Sequence, residues 1–328
     1  MSSPATSLRC AVVLCTYNGE RFLPAQLESL RAQTLQPSVY VLSDDASTDD
    51  TWALLQDFAV DRMSAGCEVI LHRNENNIGY VRHFEQAFQR TDAEVLFPCD
   101  QDDVWHPGKI ERMVDVFAAR PNLLVLHSDA RLVDAEGEPL GRRLFEVLEV
   151  TVDELAAMHA GRAFDVLLRR NIVTGAAMAL RRSFLPVALP VGDGWAHDEW
   201  LAILGAMQGE ADTLAEVLID YRQHGGNQIG IDEKHGLQQL GVGLGRLKFM
   251  RRAEGRWQVL ESHVMAHTAL AGNSAHVRER YRHAQARASG ASSLWARLRC
   301  VWGEWRSGRY VRFGNGRRSA LADLLGLD

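Results

Sequence analysis

Short apolar, β-branched runs alternate with helix-like stretches over the first 127 residues, and this alternation restricts the fold more than any other feature. RCAVVLC (residues 9 to 15) and VYVLS (39 to 43) have the length and composition of strands buried on both faces. Between them, Phe22, Leu23, Leu27 and Leu30 of RFLPAQLESLRAQ recur at near-helical spacing. The pattern predicts further helices from about Thr48 to Ala59, Tyr80 to Arg90 and Pro107 to Ala119. It predicts strands at Glu68 to Leu71, Glu94 to Pro98 and Leu123 to His127. Strand, helix, strand, helix implies an α/β fold with a mostly parallel central sheet.

After Asp129 the pattern changes. RLVDAEGEPLG reads as a hairpin with a glycine turn, residues 151 to 169 as helical, and 171 to 184 as a strand with a basic cap. A glycine-rich loop opens into an apolar helix over 190 to 209, and 212 to 224 ends in a strand-like LIDYRQH. Beyond residue 231 the chain reads as helices in which Trp295, Trp302 and Trp305 alternate with arginines. Charge divides at the same place. Residues 232 to 328 carry 17 Lys and Arg against 8 Asp and Glu, whereas the first 231 carry 19 against 34.

A chain that is 46% hydrophobic and 24% charged is an ordinary globular protein, which excludes a mostly disordered one. It contains no apolar run long enough to span a bilayer and no basic segment leading into a cleavable apolar stretch near Met1, so a cytoplasmic location is expected. Cys10, Cys15, Cys67, Cys99 and Cys300 are odd in number and lack CxxC spacing; they suit buried small side chains rather than a disulfide framework or zinc site.

Open α/β sheets bind ligands beyond the C-terminal ends of their strands. Here four successive ends are polar: CTYNGE, SDDASTDD, HRNENNIGY and DQDD. In FPCDQDDVWHPGKI, Asp100 and Asp102 emerge two residues apart at a strand end and can share one hard cation, Mg²⁺ or Mn²⁺, that also takes phosphate oxygens. The alternative is that Asp103 caps the next helix and the others are solvated. Asp45, Ser47 and Asp49 suit a turn and helix cap as well as a binding loop, and Asn77 with Gly79 suits a capping turn.

CTYNGERFLPAQLESLRAQT, VLSDDASTDDT, NIGYVRHFEQAF and FPCDQDDVWHPGKI, in this order and spacing, resemble the nucleotide-sugar half of family two glycosyltransferases of GT-A fold, with wording nearest to bacterial rhamnosyltransferase-like members. The resemblance covers about residues 8 to 230. It implies a GT-A domain over 1–231, with a nucleotide half of about 8–129 and an acceptor half of 130–231, followed by a basic helical region, 232–328.

The resemblance also implies roles. Thr16, Tyr17, Asn18 and Glu20 would line the base pocket, and Asp44 would meet the base or ribose. Asn77, Gly79, Arg82, Asp100, Gln101 and Trp195 would face the donor. In GWAHDEW the general base of an inverting transfer would be Asp198, with Glu199 beside it, although acidic residues also stabilise a helix N-terminus. Trp195 and Trp200 would offer faces to sugar rings. YRQHGGNQIG, read from its residues, places Arg222 to neutralise the diphosphate and His224 either to complete the metal shell with Asp100 and Asp102 or to donate to the diphosphate. The Gln-rich, Arg-Trp motif of processive polymer synthases is absent there, which implies transfer of one sugar per encounter.

The implied reaction moves a sugar from a nucleoside diphosphate to a hydroxyl of a glycan or lipid-linked glycan, dTDP-L-rhamnose being the first expectation as donor and a UDP-hexose the second. Two rivals stand. A nucleotidyltransferase would want a glycine-rich, basic loop after the first strand, which CTYNGERF lacks; a non-catalytic sugar-nucleotide-binding scaffold would not need Asp198. The arginines and tryptophans of the tail suit a helix on anionic lipid, or one packed on the catalytic domain or on a second subunit. No recognised nucleic-acid-binding motif accompanies them.

Overall fold

The computed structural model describes residues 8–224, 246–290 and 293–325. They form two compact units: one of 8–163, 172–191 and 196–224, the other of 164–171, 192–195 and the described residues from 246 onward. The expected boundary after residue 231 lies outside the described residues. The short segments 164–171 and 192–195 group with the later sequence, which the alternation of elements does not reveal.

The first unit is built on one nine-stranded sheet. Its strands are β1 (Cys10–Thr16), β2 (Val39–Asp44), β3 (Glu68–Arg73), β4 (Val95–Cys99), β5 (Val104–Trp105), β6 (Leu123–Val133), β7 (Pro139–Arg143), β8 (Met178–Arg181) and β9 (Glu210–Arg222). The order is β3-β2-β1-β4-β8-β6-β9-β5, with β7 paired to β6 as a hairpin. β1 pairs in parallel with β2 and β4, and β2 with β3. β8 is antiparallel to both β4 and β6, so β6 keeps the direction of β4 without touching it, and β9 runs parallel to β6. The sheet is thus mostly parallel in direction, but an antiparallel strand from much later in the chain enters its middle.

Burial follows position. Every residue of β1, β2 and β4 is buried, as expected where both faces are covered. The edge strand β3, EVILHR, is half-exposed and carries charge, which discourages pairing with another chain. Helices α1 (Leu23–Arg31), α2 (Thr51–Ser64), α3 (Tyr80–Phe88) and α4 (Lys109–Ala119) connect the strands. Short helices α5 (Leu144–Val147), α6 (Val152–His159), α7 (Ala163–Arg169) and α8 (Leu185–Ala188) precede α9 (His197–Gln208). The two-residue strand β5 is absent from the sequence reading because two residues show no period. Its pairing of Val104 with Asp220 and Trp105 with Ile219 ties the chain just after DQDD to the end of β9.

The second unit contains nearly all of α7 together with α10 (Arg246–Ala266), α11 (Ser274–Gly290), α12 (Leu294–Arg306), α13 (Arg309–Phe313) and α14 (Arg317–Leu325). Buried polar contacts hold it: His283 Nδ1 lies 2.6 Å from Glu304, and Arg287 and the Tyr310 hydroxyl both donate to Asp323. No helix among the described residues is long and apolar enough to cross a membrane. All five cysteines are free, with Cys10, Cys15 and Cys99 buried.

Candidate active site

β1 lies between β2 and β4, so the loops leaving it diverge to opposite sides, which is where an open sheet makes its ligand crevice. Register sets Thr16 beside Asp44 and Leu14 beside Cys99, bringing three polar strand ends together. The first two loops are laced. Asn18, in a left-handed conformation that Asn tolerates (φ 48°), donates its N–H to Ser47 Oγ at 2.9 Å and accepts from Thr48 N through its side chain. Gly19 N–H reaches Thr51 Oγ1 at 2.7 Å. The Glu20 N–H donates to Asp49, and its carboxylate accepts from Asp50 N.

Asp44, expected to meet the base or ribose, is held by protein groups in this structure. Its carboxylate is fully buried and accepts from the Thr16 hydroxyl (3.1 Å), the Ser47 hydroxyl and the Ser47 N–H (2.9 Å), with Arg73 Nε at 3.2 Å. Buried carboxylates need such partners, and those filling this one are the loop itself. The next residue does the same for the third loop: Asp45 accepts from Asn74 Nδ2 and from the N–H groups of Ile78 and Gly79. Gly79 (φ 82°) is also held by Asn77 Oδ1, the capping turn weighed from the sequence. Tyr17, in contrast, is exposed.

Gln101 clasps the exposed end of β1, accepting from Tyr17 N–H at 2.8 Å and donating to Tyr17 O at 3.0 Å. The clasp explains Gly19, since a Cβ there would lie 2.3 Å from Gln101 Oε1. Gly19→Ala should therefore displace the Gln101 side chain and cost about 1–2 kcal/mol in chemical denaturation, the worth of two partly exposed hydrogen bonds. In the Gly19→Ala background, Gln101→Ala should cost almost nothing further; an additive pair would show that the added methyl acts elsewhere.

The acidic loop is crowded. Burial first, then the charges of Asp102 and Asp198, push the Asp100 carboxyl up to about 7, with Lys109 opposing. Asp103 is buried and pushed up by burial, Asp102 and Asp100. Its Oδ1 accepts from Arg222 N at 2.9 Å, while Oδ2 has no hydrogen-bond partner among the described residues. Burial, then Asp103, Asp100, Asp102 and Asp198, raises the Tyr221 hydroxyl as well, so four carboxylates act on this one phenol.

Lys109, in the first turn of α4, is 0% exposed. Its ammonium donates to Ala176 O at 2.6 Å, lies 3.8 Å over the Trp105 ring, and is pushed down to about 7 by burial against the pull of Cys99, Asp103 and Asp100. The only signal available earlier was a lysine beside three aspartates, and that arrangement is usually solvated.

Asp198 sits in the first turn of α9. The preceding His197 is buried, with its ring stacked on Phe84 of α3 at 4.4 Å, and burial pushes it down to about 4. Trp200 is fully buried and donates its indole N–H to Ala188 O. With the helix so fixed, Asp198 Oδ2 accepts from Gly175 N at 3.0 Å, in the same 3-10 turn (Gly175–Ala177) whose Ala176 carbonyl receives Lys109. Gly175 leaves room for this: a Cβ would meet His197 Nε2 at 3.0 Å. Glu199, the neighbouring candidate, is half-buried.

Several expected site residues are used elsewhere. Arg222 is buried and donates its N–H to Asp103 and its guanidinium to the carbonyls of Asp102 (2.7 Å) and Ala135 (2.9 Å), so it ties the acidic loop to β9 rather than facing a diphosphate. Arg82 pairs with Glu85 at 2.7 Å and donates to Val191 O. Trp195 belongs to the second unit, where it is buried against Trp257, lies under the Arg256 guanidinium and donates to Arg256 O. Trp200 is enclosed in the core. Neither tryptophan presents an open face for a sugar.

His224 does reach the acidic loop, with Nε2 at 2.8 Å from Asp102 Oδ2. Among the described residues, however, no group of three or more His, Cys, Asp and Glu side chains is arranged to hold a metal ion. The expected trio therefore resolves into two carboxylates, Asp100 and Asp102, and a histidine that orients the second. That set fits Mg²⁺ or Mn²⁺ bound mainly by substrate phosphate and water, and the repulsion raising Asp100 is what a cation would relieve.

Polar loops and clustered carboxylates meet at the switch point of a largely parallel α/β sheet, where enzymes of this architecture place their sites, and comparison gives the class. The model of glycosyl transferase family 2 matches residues 11–185, and the chain belongs to that family. An uncharacterized glycosyltransferase of Nostoc sp. is 28% identical over 228 residues, 67% of this chain and 66% of that protein. Hyaluronan synthase of Streptococcus pyogenes is 30% identical over 111 residues, 33% of this chain and 26% of that protein. The chain thus spans about two thirds or less of these relatives. Among solved structures, S. aureus TarS 1-349 in complex with UDP-GlcNAc superimposes with a TM-score of 0.53 at 15% identity, covering 97% of this chain and 89% of that one. The fold is an α/β GT-A fold with a helical C-terminal region.

Proposed function

We propose that this glycosyltransferase is a metal-dependent, inverting enzyme that moves a sugar from a nucleoside diphosphate to a hydroxyl of a glycan or lipid-linked glycan in bacterial surface polysaccharide synthesis. The observation that carries the reading is the clustering of Asp102 and Asp198 around the buried Asp100 carboxyl, on which both of their charges act, beside the switch point of the sheet. dTDP-L-rhamnose is the favoured donor, on the wording of the four loop motifs, and a UDP-hexose the second. Five free thiols suit a reducing, cytoplasmic setting.

Asp100 and Asp102 would hold a divalent cation, which when bound supplies charge stabilisation to the departing diphosphate. His224 keeps Asp102 in place. Asp198, aimed by Gly175 N–H, takes the proton of the acceptor hydroxyl. The acceptor oxygen then attacks the anomeric carbon from the face opposite the leaving group, so configuration inverts. The loops held by Asp44 and Asp45 shape the nucleotide pocket, with Tyr17 as its exposed ring.

A thermal-shift panel of UDP, dTDP and GDP, each with and without Mn²⁺, tests this, because a ligand selective for the folded form raises the melting temperature. One nucleotide should stabilise only in the presence of the cation. A folded Asp100 near 7 stands above its unfolded value, so protons compete with the cation below about pH 7, and the Mn²⁺-dependent shift should be larger at pH 8 than at pH 6. No shift with any nucleotide at either pH would end the proposal.

A further inference from the structure

The second unit carries a face that the transferase chemistry does not use. In α12, Leu294, Trp295, Leu298, Trp302 and Trp305 are between 41% and 73% exposed. At roughly 100° per residue they fall within one arc of about 100°, so one side of this helix is a continuous apolar stripe containing three indoles. Exposed Arg299 and Arg306 border it on one flank, and the Arg306 guanidinium lies 5.6 Å over the Trp302 ring. The acid of the helix, Glu304, points the opposite way and is buried between His283 and Arg309.

Charge selects the occupant. Residues 294–325 contain seven arginines and two acids, and both acids, Glu304 and Asp323, are buried in ion pairs within the unit. The outward charge is therefore cationic. Two copies meeting through this face would bring like charges together, whereas a negatively charged bilayer answers both the arginines and the indoles, which favour the headgroup boundary. We propose that α12 is an interfacial helix that lays its tryptophan stripe into an anionic lipid surface. The assignment goes beyond the transferase reading and does not depend on it.

The test uses the full chain with vesicles of phosphatidylcholine alone or mixed with phosphatidylglycerol. Flotation should recover the protein with the mixed vesicles only, less so as salt is added, with a blue shift of tryptophan emission on binding. Trp295→Ser, Trp302→Ser and Trp305→Ser combined should reduce partitioning at least about tenfold, as should the single Trp302→Glu, while melting temperature and nucleotide-dependent thermal shift stay unchanged. Arg299→Gln with Arg306→Gln should weaken binding and flatten its salt dependence. Absence of vesicle binding would overturn the proposal, as would equal binding by Trp302→Glu. So would a self-association that the tryptophan changes abolish while vesicles leave the wild type untouched, since the stripe would then be a contact between copies.

Discussion

Asp198→Asn should retain donor affinity within about twofold and lose sugar transfer by roughly 10²–10⁴-fold, the usual contribution of a positioned base. The substitution is nearly isosteric. Its side-chain oxygen can still accept from Gly175 N–H while the amide nitrogen gives up the bond from Glu199 N–H, and His197 and Trp200 continue to anchor the helix, so the change removes basicity and keeps the main support of the side chain. Nucleotide binding by calorimetry and transfer of labelled sugar, measured on one preparation, separate the two effects. Full transfer by the variant would remove the assignment of the base, and Glu199 would be examined next.

Lys109→Met should lower kcat by about 10–10²-fold, leave the KM for donor within a few fold, and keep or strengthen the apparent affinity for Mn²⁺. The ammonium fixes Ala176 O, and the adjacent Gly175 N–H fixes Asp198, so loosening this turn displaces the base; a misplacement of about 1 Å is enough for such a loss. Removing a positive charge from beside Asp100 and Asp103 also removes a competitor of the metal. A residue with a purely structural role would weaken cation binding and catalysis together. The cost to stability should be modest, about 1–3 kcal/mol for the orphaned carbonyl, partly offset because an ammonium no longer has to be buried. Unchanged kcat would sink the positioning role.

The sequence carried the strands and the polar loops well because both are local properties. β1, β2 and β4 are continuous apolar runs, and the loops after them announce themselves by Asn, Asp and Ser in place of simple turn residues. What the sequence hid was which polar groups turn inward. Arg222 and Asp44 look like ligand contacts in one dimension, but both are hydrogen-bonded within the protein, Arg222 by carbonyls far along the chain and Asp44 by Ser47 nearby as well as by distant Thr16. Lys109 was hidden for the same reason, since the burial of a charged group is a tertiary property. Burial of the tryptophans was equally hidden: Trp195 and Trp200 lie in packed interiors, whereas Trp295, Trp302 and Trp305 stand in the open.

The place of β8 in the sheet bears on how the enzyme could be dissected. Because Met178–Arg181 threads between β4 and β6, a fragment stopped at residue 129 would contain the four polar loops and still have two raw strand edges where one seam should be. Sequence before residue 129 and sequence after it are interleaved in one sheet rather than laid out in tandem, so neither stretch could be exchanged whole without leaving the seam open.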